Sequence, residues 1–122
     1  RQSLSQADAS FARACASEGV AAAIGRVGTD DVLVLRDGAP RWVGRNMARD
    51  SVGARETVAK FMSTAQYIAD SGDLGYTYGS FVSGTIAAPD SAWYVHVWHR
   101  GPAATWRLAC QVVMPVPRAR AN

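Results

Sequence analysis

One stretch constrains the fold more than any other: Ser71-Gly72-Asp73-Leu74-Gly75-Tyr76-Thr77-Tyr78-Gly79. A tight polar turn runs into a segment that alternates large residues (Leu74, Tyr76, Tyr78) with small ones (Gly75, Thr77, Gly79). Successive side chains of a strand point to opposite faces, so this pattern predicts bulk on one face and almost none on the other. Such a strand suits a strongly curved sheet with another element packed close against its small face.

The rest of the chain fits around that strand. Residues 4–18 read as an amphipathic helix, with Leu4, Ala7, Phe11, Ala14 and Cys15 at helical spacing. Ser3 followed by Gln6 resembles a capping box, and Gly19 is a natural stop. A short second helix, Val20 to Ile24, carries an Ala-Ala-Ala run with little bulk, which suits tight packing. Thr29-Asp30-Asp31 leads into a strand Val32–Leu35; Asp37-Gly38 turns it back into Arg41-Trp42-Val43. Ser51 is placed as the N-cap of a third helix reaching about Met62, with Val58, Phe61 and Met62 as its stripe. From Thr64 the period changes to two. Ala65–Ala69, Leu74–Val82, Ala92–Arg100 and Thr105–Met114 read as four antiparallel strands, with turns at Asp70–Asp73, Ala88–Ser91 and Gly101-Pro102. Helices placed before a run of strands imply an α+β fold: three helices on one face of a curved antiparallel sheet, a cone with an apolar pocket inside.

Size and charge narrow the function. A chain of 122 residues is expected to be one domain, with a core over about 4–115 and a Pro/Arg tail at 116–122. No apolar run approaches the roughly 20 residues of a membrane helix, so no membrane partner is expected. The net charge of +3 comes from scattered arginines, dense only at Arg118 and Arg120, which speaks against nucleic acid as a partner. Cys15 and Cys110 form no C-x-x-C pair, and two histidines without clustered acids speak against a metal. Buried thiols are the default; a disulfide requires the first helix and the last strand to meet. The chain begins at Arg1 rather than Met, which leaves both a cytoplasmic and an exported, periplasmic setting open.

Three motifs carry a family resemblance. Asp8-Ala9-Ser10-Phe11-Ala12 resembles a D-x-x-F-A opening. Ser71 to Thr77 resembles a central S-G-D-L-G-Y-T segment. Tyr94 through Trp98, then Trp106-Arg107-Leu108, resembles a Y-x-x-V-W…W-[KR]-[LIV] ending. Together with the element order, they are similar to the SnoaL-like, or nuclear-transport-factor-2-like (NTF2-like), superfamily of cone-shaped α+β barrels. Within it they resemble the bacterial type called domain of unknown function 4440. The resemblance implies a frequent homodimer packed sheet to sheet and a pocket for a small hydrophobic ligand. It also implies cofactor-independent isomerase, dehydratase or cyclase chemistry, or a plain binding or assembly module. Fold alone decides none of these.

Candidate chemistry follows from the faces. Tyr94, His96 and Trp98 share one face of their strand. If that face looks into the cone, desolvation lowers the His96 pKa below about 6.5 and leaves a neutral base; otherwise His96 only hydrogen-bonds within the sheet. His99, beside Gly101-Pro102, is expected to be exposed. In isomerases of the resembled fold a carboxylate from the helical layer is the base, which makes Asp30 or Asp31 candidates unless they form a solvated pair at a turn. Tyr76 is a candidate donor to a substrate oxygen, and Tyr78 and Tyr67 are ligand contacts or wall residues. Trp42, Tyr94, Trp98 and Gln111 complete the candidate ligand-binding set, Trp42 also reading as core. Gln111 falls on the strand face opposite Trp106, Leu108 and Cys110. Arg45 is a candidate for an anion at the mouth, or plain surface. Asp73 is read as capping its own turn. The sheet strands offer no clear second carboxylate, which favours the non-catalytic alternative.

Overall fold

The computed structural model describes residues 3–53, 59–84, 89–102 and 105–116. Its elements are helices α1 (Leu4–Glu18) and α2 (Val20–Val27), strands β1 (Gly28–Arg36) and β2 (Trp42–Val43), and helix α3 (Arg45–Gly53). Strands β3 (Ala59–Ile68), β4 (Leu74–Gly84), β5 (Pro89–Arg100) and β6 (Trp106–Pro115) follow. The six strands form one open sheet in the order β2-β1-β6-β5-β4-β3. The expected α+β class holds, with the four-stranded meander intact. The sheet is mixed rather than wholly antiparallel, because β1 runs parallel to β6, with Val34 opposite Gln111.

Helix α1 begins with the expected capping box: Ser3 Oγ accepts from Gln6 N at 3.1 Å, and Gln6 Oε1 accepts from Ser3 N at 2.8 Å. It stops at Gly19, whose φ of 94° a side chain rarely adopts. The third helix lies earlier than the sequence suggests. It starts after Gly44 and ends near Gly53, while Phe61 and Met62 belong to β3. Val58, Ala88, Pro117, Arg118 and Arg120, which entered the expectations for this helix, a turn and the tail, lie outside the described residues.

The core lies between the helices and the concave face of the sheet. Leu4 and Phe11 of α1, Val20 and Ile24 of α2, and Val32 and Val34 of β1 are buried there with Phe81, Trp98 and Leu108 of the meander. Each such large apolar side chain contributes about 1.5–3 kcal/mol on burial. Cys15 is buried on α1 and Cys110 is half-buried on β6, and no disulfide joins them.

Strand β4 shows the two-sided character that its sequence announces. Gly75, Thr77, Gly79 and Phe81 are buried, while Leu74 and Tyr76 are exposed. A Cβ at Gly75 would stand 2.8 Å from Leu4 Cδ2, so the element packed against the small face is α1. Gly79 answers a different demand. A Cβ there would lie 2.0 Å from the Met62 carbonyl oxygen, where β3 carries a bulge between Ser63 and Ala65. Gly79→Ala is expected to cost about 1–3 kcal/mol through forced separation of β3 and β4. Urea denaturation checks this, and an unchanged midpoint would contradict the close approach.

Candidate functional site

The site is a buried polar network enclosed by aromatic rings. Its carboxylate comes from α1. Leu4, Asp8, Phe11 and Cys15 follow one another at steps of four, three and four, so Asp8 rides on the helix's buried stripe and is only 4% exposed. Three donors from the sheet meet it. Thr77 Oγ1 donates to Asp8 Oδ1 at 2.8 Å, Tyr94 OH donates to Oδ2 at 3.0 Å, and His96 Nδ1 lies 2.9 Å from Oδ1. Trp98 Nε1 donates to Thr77 Oγ1 at 3.2 Å, while the Thr77 proton goes to the carboxylate, which can only accept.

On its other side His96 meets Gln111, whose Nε2 lies 2.9 Å from His96 Nε2. Gln111 Oε1 accepts from the Arg36 guanidinium at 2.6 Å. His96 and Gln111 are fully buried. Phe11 and Phe61 stand edge-on to the imidazole at 5.1 and 5.0 Å between ring centroids, and Tyr94 lies at 4.3 Å.

A strand irregularity completes the site. Along β6, Trp106 and Leu108 face the core, and strict alternation would send Gln111 to the opposite face. The β5–β6 register shifts between Val97, opposite Cys110, and Trp98, opposite Leu108, leaving Ala109 as the extra residue. The bulge reverses the parity, and Gln111 and Val113 become buried on the same side as Leu108.

Burial opposes ionisation of Asp8, but the hydrogen bonds from His96, Thr77 and Tyr94 outweigh it and hold its carboxyl below the ordinary value of 3.8. Burial also dominates His96 and pulls it below 6.5, against the attraction of Asp8 and with the help of Arg36. Burial first, then the Asp8 charge, pushes the Tyr94 phenol well above its usual range. The pair at neutral pH is therefore a carboxylate beside a neutral imidazole.

Of the residues singled out in the sequence, the structure brings together His96, Tyr94, Trp98 and Gln111. Asp30 does not join them: its side chain is 92% exposed and pairs with Arg45 at 2.7 Å. Asp31 is exposed, and both aspartates sit where β1 departs from regular pairing with β6. The carboxylate against His96 is Asp8. Tyr76 stacks on Tyr67 at 5.0 Å on the outward face of the sheet, and Tyr78 shares that face. Trp42 is buried in the core on the edge strand β2. His99 is exposed, and Ser71 Oγ donates to Asp73 within the β3–β4 turn.

Asp8, Thr77 and Arg36 are the members that sequence reasoning missed. For Asp8 the signal was present, a carboxylate in the apolar stripe of an amphipathic helix. At the end of β1 and β6, an open groove of about 400 Å3 is lined by Leu35, Arg36, Asp37, Val112, Val113, Met114 and Pro115. Arg36 links that groove to the network. Among the described residues, no three His, Cys, Asp or Glu side chains gather as a metal site requires. No helix there is long and apolar enough to cross a membrane.

Solved structures share this architecture. A ketosteroid isomerase-like protein from Erwinia carotovora atroseptica superposes with a TM-score of 0.76 at 13% identity, covering 94% of this chain and 95% of that one. A candidate ketosteroid isomerase from Parabacteroides distasonis gives 0.75 at 11% identity, over 94% and 89%. A candidate dehydratase of the NTF2-like family from Streptomyces avermitilis gives 0.70 at 19% identity, over 94% of both chains. The fold is the ketosteroid-isomerase-like, NTF2-like one. At these identities the likeness establishes the fold and leaves the reaction to the side chains. No family model and no curated protein matches the chain. Within the NTF2-like cone, the Asp8–His96 pair occupies the enclosed side between α1 and the sheet.

Proposed function

We propose that the chain is a small-molecule protein of the NTF2-like cone, of the bacterial type called domain of unknown function 4440. In this reading the Asp8–His96 pair moves a proton on a small hydrophobic substrate without a cofactor. The observation that carries it is the 2.9 Å contact between an ionised, thrice-bonded carboxylate and a neutral imidazole in an aromatic enclosure. A neutral imidazole is the form a general base requires. Its basic atom is Nε2, covered by the neutral amide of Gln111. Rotation of Gln111 would open Nε2 toward the groove beside Arg36. The base would take a proton from carbon next to a substrate carbonyl, Asp8 would stabilise the imidazolium, and the same proton would return at a neighbouring position. Arg36 supplies positive charge for the intermediate oxyanion. Returned to a neighbouring carbon, the proton completes an isomerisation; given instead to a β-hydroxyl, it lets water leave in a dehydration; given to the oxygen of a second carbonyl that the carbanion attacks, it closes a ring.

A second reading is a non-catalytic ligand-binding or dimerising module, favoured by the complete burial of His96 with both ring nitrogens occupied. The outward sheet face, with Tyr67, Ile68, Leu74, Tyr76, Trp93 and Val95 exposed, suits packing against a second copy.

One experiment separates the readings. Small cyclic enones and β-hydroxy ketones are incubated with the protein in D2O, and deuterium at the carbon next to the carbonyl is read by NMR. Catalysis is expected to give exchange that His96→Asn slows by about 10²–10⁴-fold. Exchange unaffected by that substitution would overturn the role of His96. Thermal stabilisation by a member of the panel without exchange would establish the binding module instead.

A further inference from the structure

We propose that Arg36 is a positioning residue that sets the proton arrangement of His96 from two side chains away, through the amide of Gln111. A guanidinium has only donors, so the oxygen of Gln111 must face Arg36, as it does at 2.6 Å. The Gln111 amide nitrogen, a donor, must then face His96 Nε2, as it does at 2.9 Å. His96 Nε2 has to be bare to accept it. The remaining ring proton is thereby placed on Nδ1, where Asp8 Oδ1 accepts it at 2.9 Å. The series Arg36→Gln111→His96→Asp8 has one polarity, and each member enforces the next.

The arrangement does more than select a tautomer. A second proton on His96 would sit on Nε2, against the amide hydrogens of Gln111. Relief would require Gln111 to flip and turn those hydrogens toward the guanidinium. Both outcomes leave donors opposed in a fully buried site, where unmatched polar groups are costly. Among the described residues, the groups around the imidazole come from every element packed on it. Asp8 faces it from α1, Phe61 from β3, Thr77 from β4, Tyr94 from β5 and Gln111 from β6. Of the charged ones, Asp8 favours protonation and Arg36 opposes it. Burial disfavours the charged imidazole, and Arg36, through Gln111, selects its bare-Nε2 form although an anion touches the other nitrogen.

The test is nitrogen-15 NMR of the His96 ring, with and without substitution at Arg36. In the unsubstituted protein, Nδ1 is expected to carry the proton and Nε2 none. Arg36→Met frees Gln111 to turn its oxygen toward His96. It is expected to raise the His96 titration midpoint by about one pH unit or more and to move protonation onto Nε2. Arg36→Lys has only donors and is expected to keep the original arrangement. Gln111→Glu provides a second variant of nearly unchanged shape. Its carboxylate accepts from both Arg36 and His96 Nε2, so His96 is expected to be doubly protonated at neutral pH. A His96 spectrum and midpoint unchanged in a folded Arg36→Met protein would overturn the proposal. If that variant does not fold, a neutral His96 in Gln111→Glu would do so. Both readouts are taken without substrate, so they succeed or fail independently of turnover.

Discussion

Asp8→Ala is expected to lower the stability of the folded chain by about 3–5 kcal/mol, the usual cost of removing one partner from a buried charged pair. The carboxylate is the acceptor that Thr77, Tyr94 and His96 share, and all three donors would point into the space it leaves. Trp98 is tied to the same carboxylate through Thr77, whose hydroxyl accepts the indole N–H and gives its own proton to Asp8. For a chain of this size the loss corresponds to a fall in Tm of roughly 10–20 °C. Asp8→Asn is the control of shape. It keeps an acceptor and the volume but loses the charge, and about 1–3 kcal/mol is expected. Thermal and urea melts of the two variants check the ranking. Equal and negligible losses would show that the network does not hold the helix to the sheet.

The second large effect is acid destabilisation beginning near the ordinary histidine pKa. The folded protein holds His96 below 6.5, chiefly by burial. As pH falls through that value the unfolded chain takes up a proton that the folded chain refuses, so stability decreases with falling pH. The slope for one proton is about 1.4 kcal/mol per pH unit, and it persists down to the folded pKa of His96. Asp8 has the same sign in a lower window. Its folded pKa lies below 3.8, so its contribution is complete above 3.8 and is lost as pH falls from there through the folded value. Urea melts from about pH 7.5 down to about pH 5 isolate the histidine. His99 is exposed and His96 is the one buried histidine of the two in the chain, so His96→Phe is expected to flatten this window. A flat profile in the unsubstituted protein would contradict a neutral buried His96.

Particular residues show why some of this was legible in the sequence and some was not. The alternation of β4 is a local property, and it correctly announced a close neighbour on the small face, which is Leu4 of α1. The inward face of β5 was equally local, and Tyr94, His96 and Trp98 are indeed buried together. The partner of His96 depended on tertiary contact. Asp30 and Asp31 stand out in the sequence because they sit at a helix-to-strand junction, whereas Asp8 lies inside a motif. Its place on the stripe of Leu4, Phe11 and Cys15 was the sign that it is buried.

Gln111 could not be placed by counting, because the extra residue Ala109 in β6 reverses the alternation. The parallel pairing of β1 with β6 joins residues about 75 positions apart, Arg36 and Gln111 among them, and no periodicity reports such a contact. Helix α3 was misplaced for a related reason. Over its residues of described burial, 45–52, Ala48 and Val52 alone are buried, too thin a stripe to stand out beside the apolar Phe61 and Met62 of the next strand.

Function and stability both turn on a buried polar series of single polarity, ending on an ionised Asp8. Long-range proton–nitrogen correlation spectra of the imidazoles at neutral pH test it most directly, because they report which ring nitrogen carries hydrogen. The result expected is a neutral His96 with hydrogen on Nδ1 alone, unchanged until the pH falls below 6.5. Hydrogen on Nε2, whether alone or with Nδ1, would contradict it.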